Sequence, residues 1–444
     1  MFNIHLPSLL KYWSLVVVVW LSLQPAGAIA QIKYFDLTNP FLRQIPMSIP
    51  VFKAMTSSPA EADQVGVFAD RLQDMLEFSG YFKMLDRASF IHDPQASGIA
   101  EKSFDFGNWT TLGAELLITG GLEIKGDKMK VELRLFDTFK AKLLVSKHYR
   151  GKVRDQRSIT RQFCSEVLFA LNGNRGFFDS QLAFVSSGTG HKEIFTCDFD
   201  GANVKQLTDK RSITSFPSWS TDGNYLGFTS FVRGESQIYV LNLYTQAEIR
   251  FLYEGVQIAP NWVPNRMEIT GSLTFEGDQD IYLLTHGGKM IKKLTNSRGI
   301  DVDATWSPDG RKMAFVSNRA GSPQIFIKEI STGSVHRLTF EGRYNTQPRW
   351  SPKGNLIAYS SMQQDQINIV VIDVEGNNPV QLTHNQGDNE APSWSPDGSL
   401  IVFSSNREGI SRIFVMTAIG SDQRRLLRLP GGQFQPSWSS NFHQ

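Results

Sequence analysis

Two cysteines in 444 residues are too few for a disulfide-stapled scaffold. Cys164 falls in a predicted helix of one domain and Cys197 in a strand of the next, so two separately buried thiols are expected. An excess of either charge is also missing. The 45 Lys and Arg residues face 43 acids, which argues against a dedicated nucleic-acid binder, and nothing in the balance points to anionic lipid. The one apolar run, 13–23, is too short to span a bilayer comfortably.

Chemistry is scarce as well. No Gly-x-Ser-x-Gly elbow, His-Glu-x-x-His pair or Gly-x-x-x-x-Gly-Lys loop occurs. His191, His286, His336 and His384 lie at different phases of different repeats and read as solvated loop residues. Asp198-x-Asp200-Gly201 begins like a calcium loop but lacks the third acidic position and the distal glutamate, so a hairpin turn is expected there. The sequence gives no catalytic residue, metal site or cofactor, and a non-enzyme is expected.

What is present is a rhythm. Trp219, Trp262, Trp306, Trp350, Trp394 and Trp438 are separated by 43, 44, 44, 44 and 44 residues. Other landmarks keep step, among them an apolar residue seven after each Trp and Ile238, Ile281, Ile325, Ile369 or Ile413 nineteen after. Each repeat reads as four short strands, rich in β-branched and aromatic residues and bounded by Gly, Asn, Asp and Ser, which is the signature of a β-propeller blade. Ser307-Pro308-Asp309-Gly310 and Ser395-Pro396-Asp397-Gly398 are turn sequences, whereas Val263-Pro264-Asn265-Arg266 lacks the glycine and marks the least regular blade. Strands two to four of a blade follow Gln181 without a first strand, and Phe434 to Trp438 is a first strand with no blade after it. Together they make a sixth blade, closed by the C-terminal strand.

The fold class is therefore mainly β, a six-bladed β-propeller preceded by a small α/β domain. Residues 1–30 read as a secretory signal peptide with cleavage after Ala30, which predicts an exported, soluble protein. Residues 31–44 form a mature N-terminal segment, docked on its own domain or free to join a partner's sheet. Residues 45–173 are the α/β domain, 174–179 a linker and 180–444 the propeller. In the α/β domain a proline-marked strand from Ile45 to Phe52 precedes a helix opened by Ser58-Pro59-Ala60-Glu61. A Gly126-Asp127 hairpin and a second helix ending at Gly173 follow.

One constellation suits binding. The pairs Ser215-Phe216, Ile258-Ala259, Val302-Asp303, Thr346-Gln347, Glu390-Ala391 and Phe434-Gln435 enter the first strands, and in five of the six a proline follows. The proline is expected at the first residue of the strand, where the ladder needs no donor. Since the first strand of a blade is innermost, these pairs ring one mouth of the channel. Their side chains vary while the scaffold letters stay fixed, as suits one asymmetric surface for a partner; the alternative is that they only shape the channel wall. The tryptophans are expected in the core between blades.

The order of leader, α/β domain, Trp-Ser-Pro-Asp-Gly propeller and latch strand resembles the TolB family of the Tol-Pal system, over essentially 31–444. The resemblance implies a periplasmic adaptor. Its propeller mouth would bind the peptidoglycan-associated lipoprotein Pal, and its mature N-terminus, Gln31, Ile32, Lys33, Tyr34, Phe35, Asp36 and Leu37, would contact the inner-membrane protein TolA. It further implies a role in outer-membrane constriction at division and in outer-membrane integrity. Matching the family's Pal-contacting loops points to Val256, Gln257, Ile258 and Ala259 and to Val302 and Asp303; Val256, Ile258 and Val302 stand where the family often has polar residues. The alternative is a periplasmic propeller enzyme acting on carbohydrate or peptide, which would need acids or histidines clustered on the channel.

Overall fold

The computed structural model describes residues 44–441, except 57, 91–95, 97 and 276. The expected signal peptide and the Gln31 to Leu37 segment lie outside the described residues.

The chain opens with β1 (Ile45–Ser48) and β2 (Lys53–Ala54), continues into α1 (Pro59–Phe78) and reaches β3 (Phe82–Met84). A short helix α2 (Phe106–Thr111), the strands β4 (Leu116–Lys125), β5 (Lys128–Asp137) and β6 (Lys142–Lys152), and α3 (Gln156–Asn172) complete this part. The sheet order is β3-β1-β4-β5-β6, with β2 also on β4. The single strand expected from Ile45 to Phe52 is two. Ser48 pairs with Leu117 and Lys53 with Gly121, so five steps along one chain match four along the other, across Pro50, which has no N–H to give.

Helix α1 starts where the sequence places it. The Ser58 hydroxyl accepts from Glu61 N–H at 3.3 Å with proline at the first helical position. The Glu61 carboxylate, fully buried, accepts from the Thr56 N–H (2.8 Å), the Thr56 hydroxyl (2.6 Å) and the Ile124 N–H (2.9 Å), tying the helix to β4. Those donors hold its pKa below the usual carboxylate range although burial alone pushes the other way. Gly173 ends α3 in the left-handed region at φ +76° and donates to Phe169 O at 2.8 Å. Helix α2 was not expected. Asp105 caps it by accepting from Gly107 N–H at 2.8 Å, and Trp109 packs edge-on to Phe90 at 5.0 Å.

From Gln181 onward six four-stranded sheets follow in a ring. The first strands of blades two to six are Thr214–Trp219, Gln257–Trp262, Asp301–Trp306, Tyr344–Trp350 and Asn389–Trp394. Blade one is composite. Gln433–Trp438 pairs antiparallel with Gln181–Ser186, matching Phe434 to Val185 and Trp438 to Leu182. The C-terminal strand therefore closes the first blade.

The repeated letters have physical roles. Each tryptophan is 4–8% exposed and packs between blades, and its indole N–H reaches a neighbouring acceptor, as from Trp262 to Ser218 O (3.0 Å) and from Trp394 to Arg349 O (3.0 Å). In the Leu-Thr pair that ends four repeats, the hydroxyls of Thr208, Thr295, Thr339 and Thr383 accept from the third-strand N–H of Ile194, Ile281, Ile325 and Ile369 at 2.9–3.0 Å. In the Ser-Pro-Asp-Gly turn, Ser307 Oγ donates to Asp309 Oδ1 at 2.6 Å and accepts from Lys312 N–H at 2.9 Å, with Gly310 at φ +68°. The turn without glycine uses Asn265 at φ +57° and still closes from Arg266 N–H to Val263 O at 3.2 Å.

Candidate functional site

In every first strand the residue three before the tryptophan has a positive φ: Phe216 (+54°), Ala259 (+51°), Asp303 (+50°), Gln347 (+53°), Ala391 (+53°) and Gln435 (+49°). At each of them the pairing with the second strand slips, so that two residues face one. The following proline thus stands inside the strand rather than at its first residue as expected. The bulge has already withdrawn that amide from the ladder, so a residue without an N–H costs nothing there. The bulged N–H groups turn instead onto the preceding blade. Ala259 donates to Thr229 Oγ1 (3.2 Å), Asp303 to Ser272 Oγ (3.3 Å), Ala391 to Ser360 Oγ (3.0 Å) and Gln435 to Ser404 Oγ (2.9 Å). In blades one and four Val185 and Val316 occupy the position of those hydroxyls, and next to blade one Phe216 N–H donates instead to Gln435 Oε1 at 2.9 Å.

The residues expected at the mouth divide into three groups. Ser215, Ile258, Val302, Thr346, Glu390 and Phe434, just before the bulge, are buried or half-buried at the channel entrance. The bulge residues form the channel wall, where Asp303 is 8% exposed and accepts from Arg349 Nη1 at 2.9 Å. Gln257 is fully buried and donates to Tyr253 O, so it holds its own loop in place; Val256 before it is exposed. At the opposite side of the entrance Lys192 Nζ lies 4.7 Å from the centre of the Phe434 ring. Burial pushes the Glu390 carboxyl pKa up, Asp388 adds to the rise and Lys192 opposes it.

Two sets of residues escaped the sequence reading, apart from Val256, which the resemblance points to. Six positions before the tryptophan, Ile213, Val256, Ile300 and Tyr344 are 42–50% exposed and make an apolar crescent on the rim of blades two to five, while blade six has Asp388 there. One position before the tryptophan, Ser218, Asn261, Arg349, Ser393 and Ser437 line a cavity of about 180 Å³ on the channel axis, into which Asp303 also faces. Strand alternation was the available signal, since residues one and three before the Trp share a face.

The other face of the ring is covered. Arg157 of α3 donates to Asp198 Oδ2 at 3.0 Å and to Asp200 Oδ1 at 2.6 Å, in the hairpin joining strands three and four of blade one. That hairpin is a plain turn closed by Gly201 N–H to Asp198 O at 2.9 Å, and its carboxylates are taken by arginine. Arg424 lies over the Phe78 ring at 4.5 Å and donates to Phe78 O at 2.7 Å. The Tyr81 hydroxyl meets Asp397 and Ser399 of a first turn. All these groups lie at the tryptophan ends of first strands or in turns of that side, so the α/β part caps the face away from the bulged mouth. Among the described residues no group of three or more His, Cys, Asp or Glu side chains is placed to hold a metal ion, and no helix is long and apolar enough to cross a membrane.

These features define a closed six-bladed propeller with one face capped by an α/β domain and the other open. Residues 169–442 match the TolB beta propeller domain and residues 34–144 the TolB amino-terminal domain. The chain belongs to the TolB family. It is 50% identical over 286 residues to the Tol-Pal system protein TolB of Desulfosudis oleivorans, covering 64% of this chain and 65% of that one. A protein TolB homolog of Chlorobium luteolum is 42% identical over 231 residues, 52% of either chain, so the matched stretches span about half to two thirds of these relatives. The crystal structure of TolB from Acinetobacter baumannii superposes with a TM-score of 0.78 at 23% identity, over 90% of this chain and 97% of that one, which extends the likeness of fold to nearly the whole molecule.

Proposed function

We propose that this chain is a non-enzymatic, periplasmic protein–protein adaptor of the Tol-Pal system. The mouth of its propeller docks the lipoprotein Pal, and residues 31–37 contact TolA, in support of outer-membrane constriction and integrity. The observation that carries this reading is the sidedness of the ring. The α/β domain occupies one face, while the bulged mouth stays open and carries the exposed crescent of Ile213, Val256, Ile300 and Tyr344. A rigid scaffold that presents variable side chains at its loops is how binding surfaces are commonly built. For TolA and Pal to influence one another through this chain, each must favour a different state of it, since a ligand shifts an equilibrium only by its differential affinity.

The rim offers the cleanest test because its side chains are exposed. Val256→Glu and Ile300→Glu are expected to weaken binding of purified Pal at least tenfold, about 1.4 kcal/mol, with melting temperature unchanged. Asp303 is a poorer choice, since charge reversal there sets a cation against Arg349. Calorimetric titration with Pal is the measurement, and full affinity in both rim variants would remove the mouth from the interface.

A further inference from the structure

The cavity on the channel axis is built from polar groups with capacity to spare. Arg349 spends Nη1 on Asp303 Oδ1 (2.9 Å) and on Pro348 O (2.7 Å). Among the described residues its Nε and Nη2 meet no partner in the chain, and the side chain, about a quarter exposed, lines the cavity. The same holds for the Asn261 side-chain amide and the Ser218 and Ser437 hydroxyls, which line the same space. Ser393 Oγ differs, accepting from Trp438 N–H at 2.9 Å. Every blade contributes to the wall, so the groups are fixed relative to one another by the closed ring.

The volume of about 180 Å³ is well below the roughly 300 Å³ at which pockets for drug-sized ligands begin. The unspent edge of a guanidinium is a planar fork that fits a carboxylate through two parallel hydrogen bonds. Beside it Asp303 keeps one carboxylate oxygen, and Asn261 an amide, for a donor on the same ligand. We infer that the channel is a binding site for a free small molecule of amino-acid size, with its carboxylate on Arg349 and its ammonium or hydroxyl on Asp303 and Asn261. The exposed crescent of Ile213, Val256, Ile300 and Tyr344 does not line this cavity, so small-molecule binding can be measured without Pal and apart from the rim variants.

Titration calorimetry and thermal shift on the whole protein with glycine, glycolate and acetate test this. Saturable binding of glycine and glycolate is expected, with acetate, which lacks the donor, at least tenfold weaker. Arg349→Lys keeps the charge and loses the fork, and at unchanged near-ultraviolet dichroism it should weaken both ligands at least tenfold. Asp303→Asn should weaken glycine more than glycolate. Absence of saturable binding for glycine and glycolate, or equal affinity in Arg349→Lys, would overturn the inference and leave the cavity a water-filled part of the channel.

Discussion

Glu390 shows how a single carboxyl at the mouth is set by its surroundings. The side chain enters the channel beside Ala391, whose N–H is taken by Gln347 Oε1 (2.8 Å) and Ser360 Oγ (3.0 Å), so the backbone cannot turn the carboxyl out to water. Burial is the leading cause of its raised pKa, and Asp388 reinforces it more than Lys192 relieves it. The folded state therefore binds the proton more tightly than the unfolded chain does. The stability this adds is complete below the unfolded carboxyl pKa and is lost as pH rises through the higher folded value. Glu390→Gln removes the ionisation, so the variant should melt above the wild type at pH 8, with the difference shrinking steadily toward pH 4. Melting curves across that range decide it, and a constant difference would show that Glu390 is not the group responsible. The same cause acts on the cysteines, since Cys164 and Cys197 are both free thiols whose burial pushes their pKa values up.

At the scale of the element, the last strand was legible because its letters repeat. Phe434-Gln435-Pro436-Ser437-Trp438 carries the same proline and tryptophan as four other first strands, and a strand without a blade must pair with a blade without a strand. The bulges were not legible in the same way. Phe, Ala, Asp and Gln share no preference for a positive φ, and in four of the six the bulged N–H is held by a hydroxyl of the neighbouring blade that is far away in sequence. The six-residue helix around Trp109 was missed because so short an element shows no apolar period. The run from Ile45 to Phe52 reads as one proline-marked strand, and that reading hides the break at Pro50. Trp438 packs on Phe177 at 5.7 Å and donates to Ser180 Oγ at 2.7 Å, joining the closing strand to the linker. Trp438→Ala should cost about 3 to 5 kcal/mol in chemical denaturation. Removal of the chain from Gln433 onward should abolish cooperative unfolding altogether, because it exposes the edge of blade one. A truncated protein that unfolded at the wild-type denaturant midpoint would mean the ring does not depend on this strand.

On the scale of the whole molecule, the two parts form one body. A single apolar cluster runs from Phe68 and Leu72 of α1 through Phe177, Phe178 and Phe199 to Leu400, Leu427 and Trp438. Phe78 meets Phe199 at 5.4 Å and Phe177 at 6.1 Å, and around this aromatic knot Arg157 bridges Asp198 and Asp200. Asp198 is nearly buried, and loss of Arg157 leaves its carboxylate with only the Asn203 amide at 2.8 Å and the more distant Arg161 at 3.7 Å, whereas the partly exposed Asp200 can be solvated. Arg157→Ala should accordingly destabilise by about 1 to 3 kcal/mol, between the values for exposed and fully buried pairs. The intact protein should show one calorimetric transition, because neither part can unfold without exposing the shared core. Adding Phe78→Ala to Arg157→Ala weakens both the charged and the aromatic contacts while leaving each part's own core in place. The heat-capacity trace of the double variant is then expected to split into two transitions, the propeller melting last because its ring is closed by its own strand. A single transition at the wild-type temperature would mean that Arg157 and Phe78 carry none of the coupling, and that the rest of the shared apolar cluster holds the α/β domain to the disc.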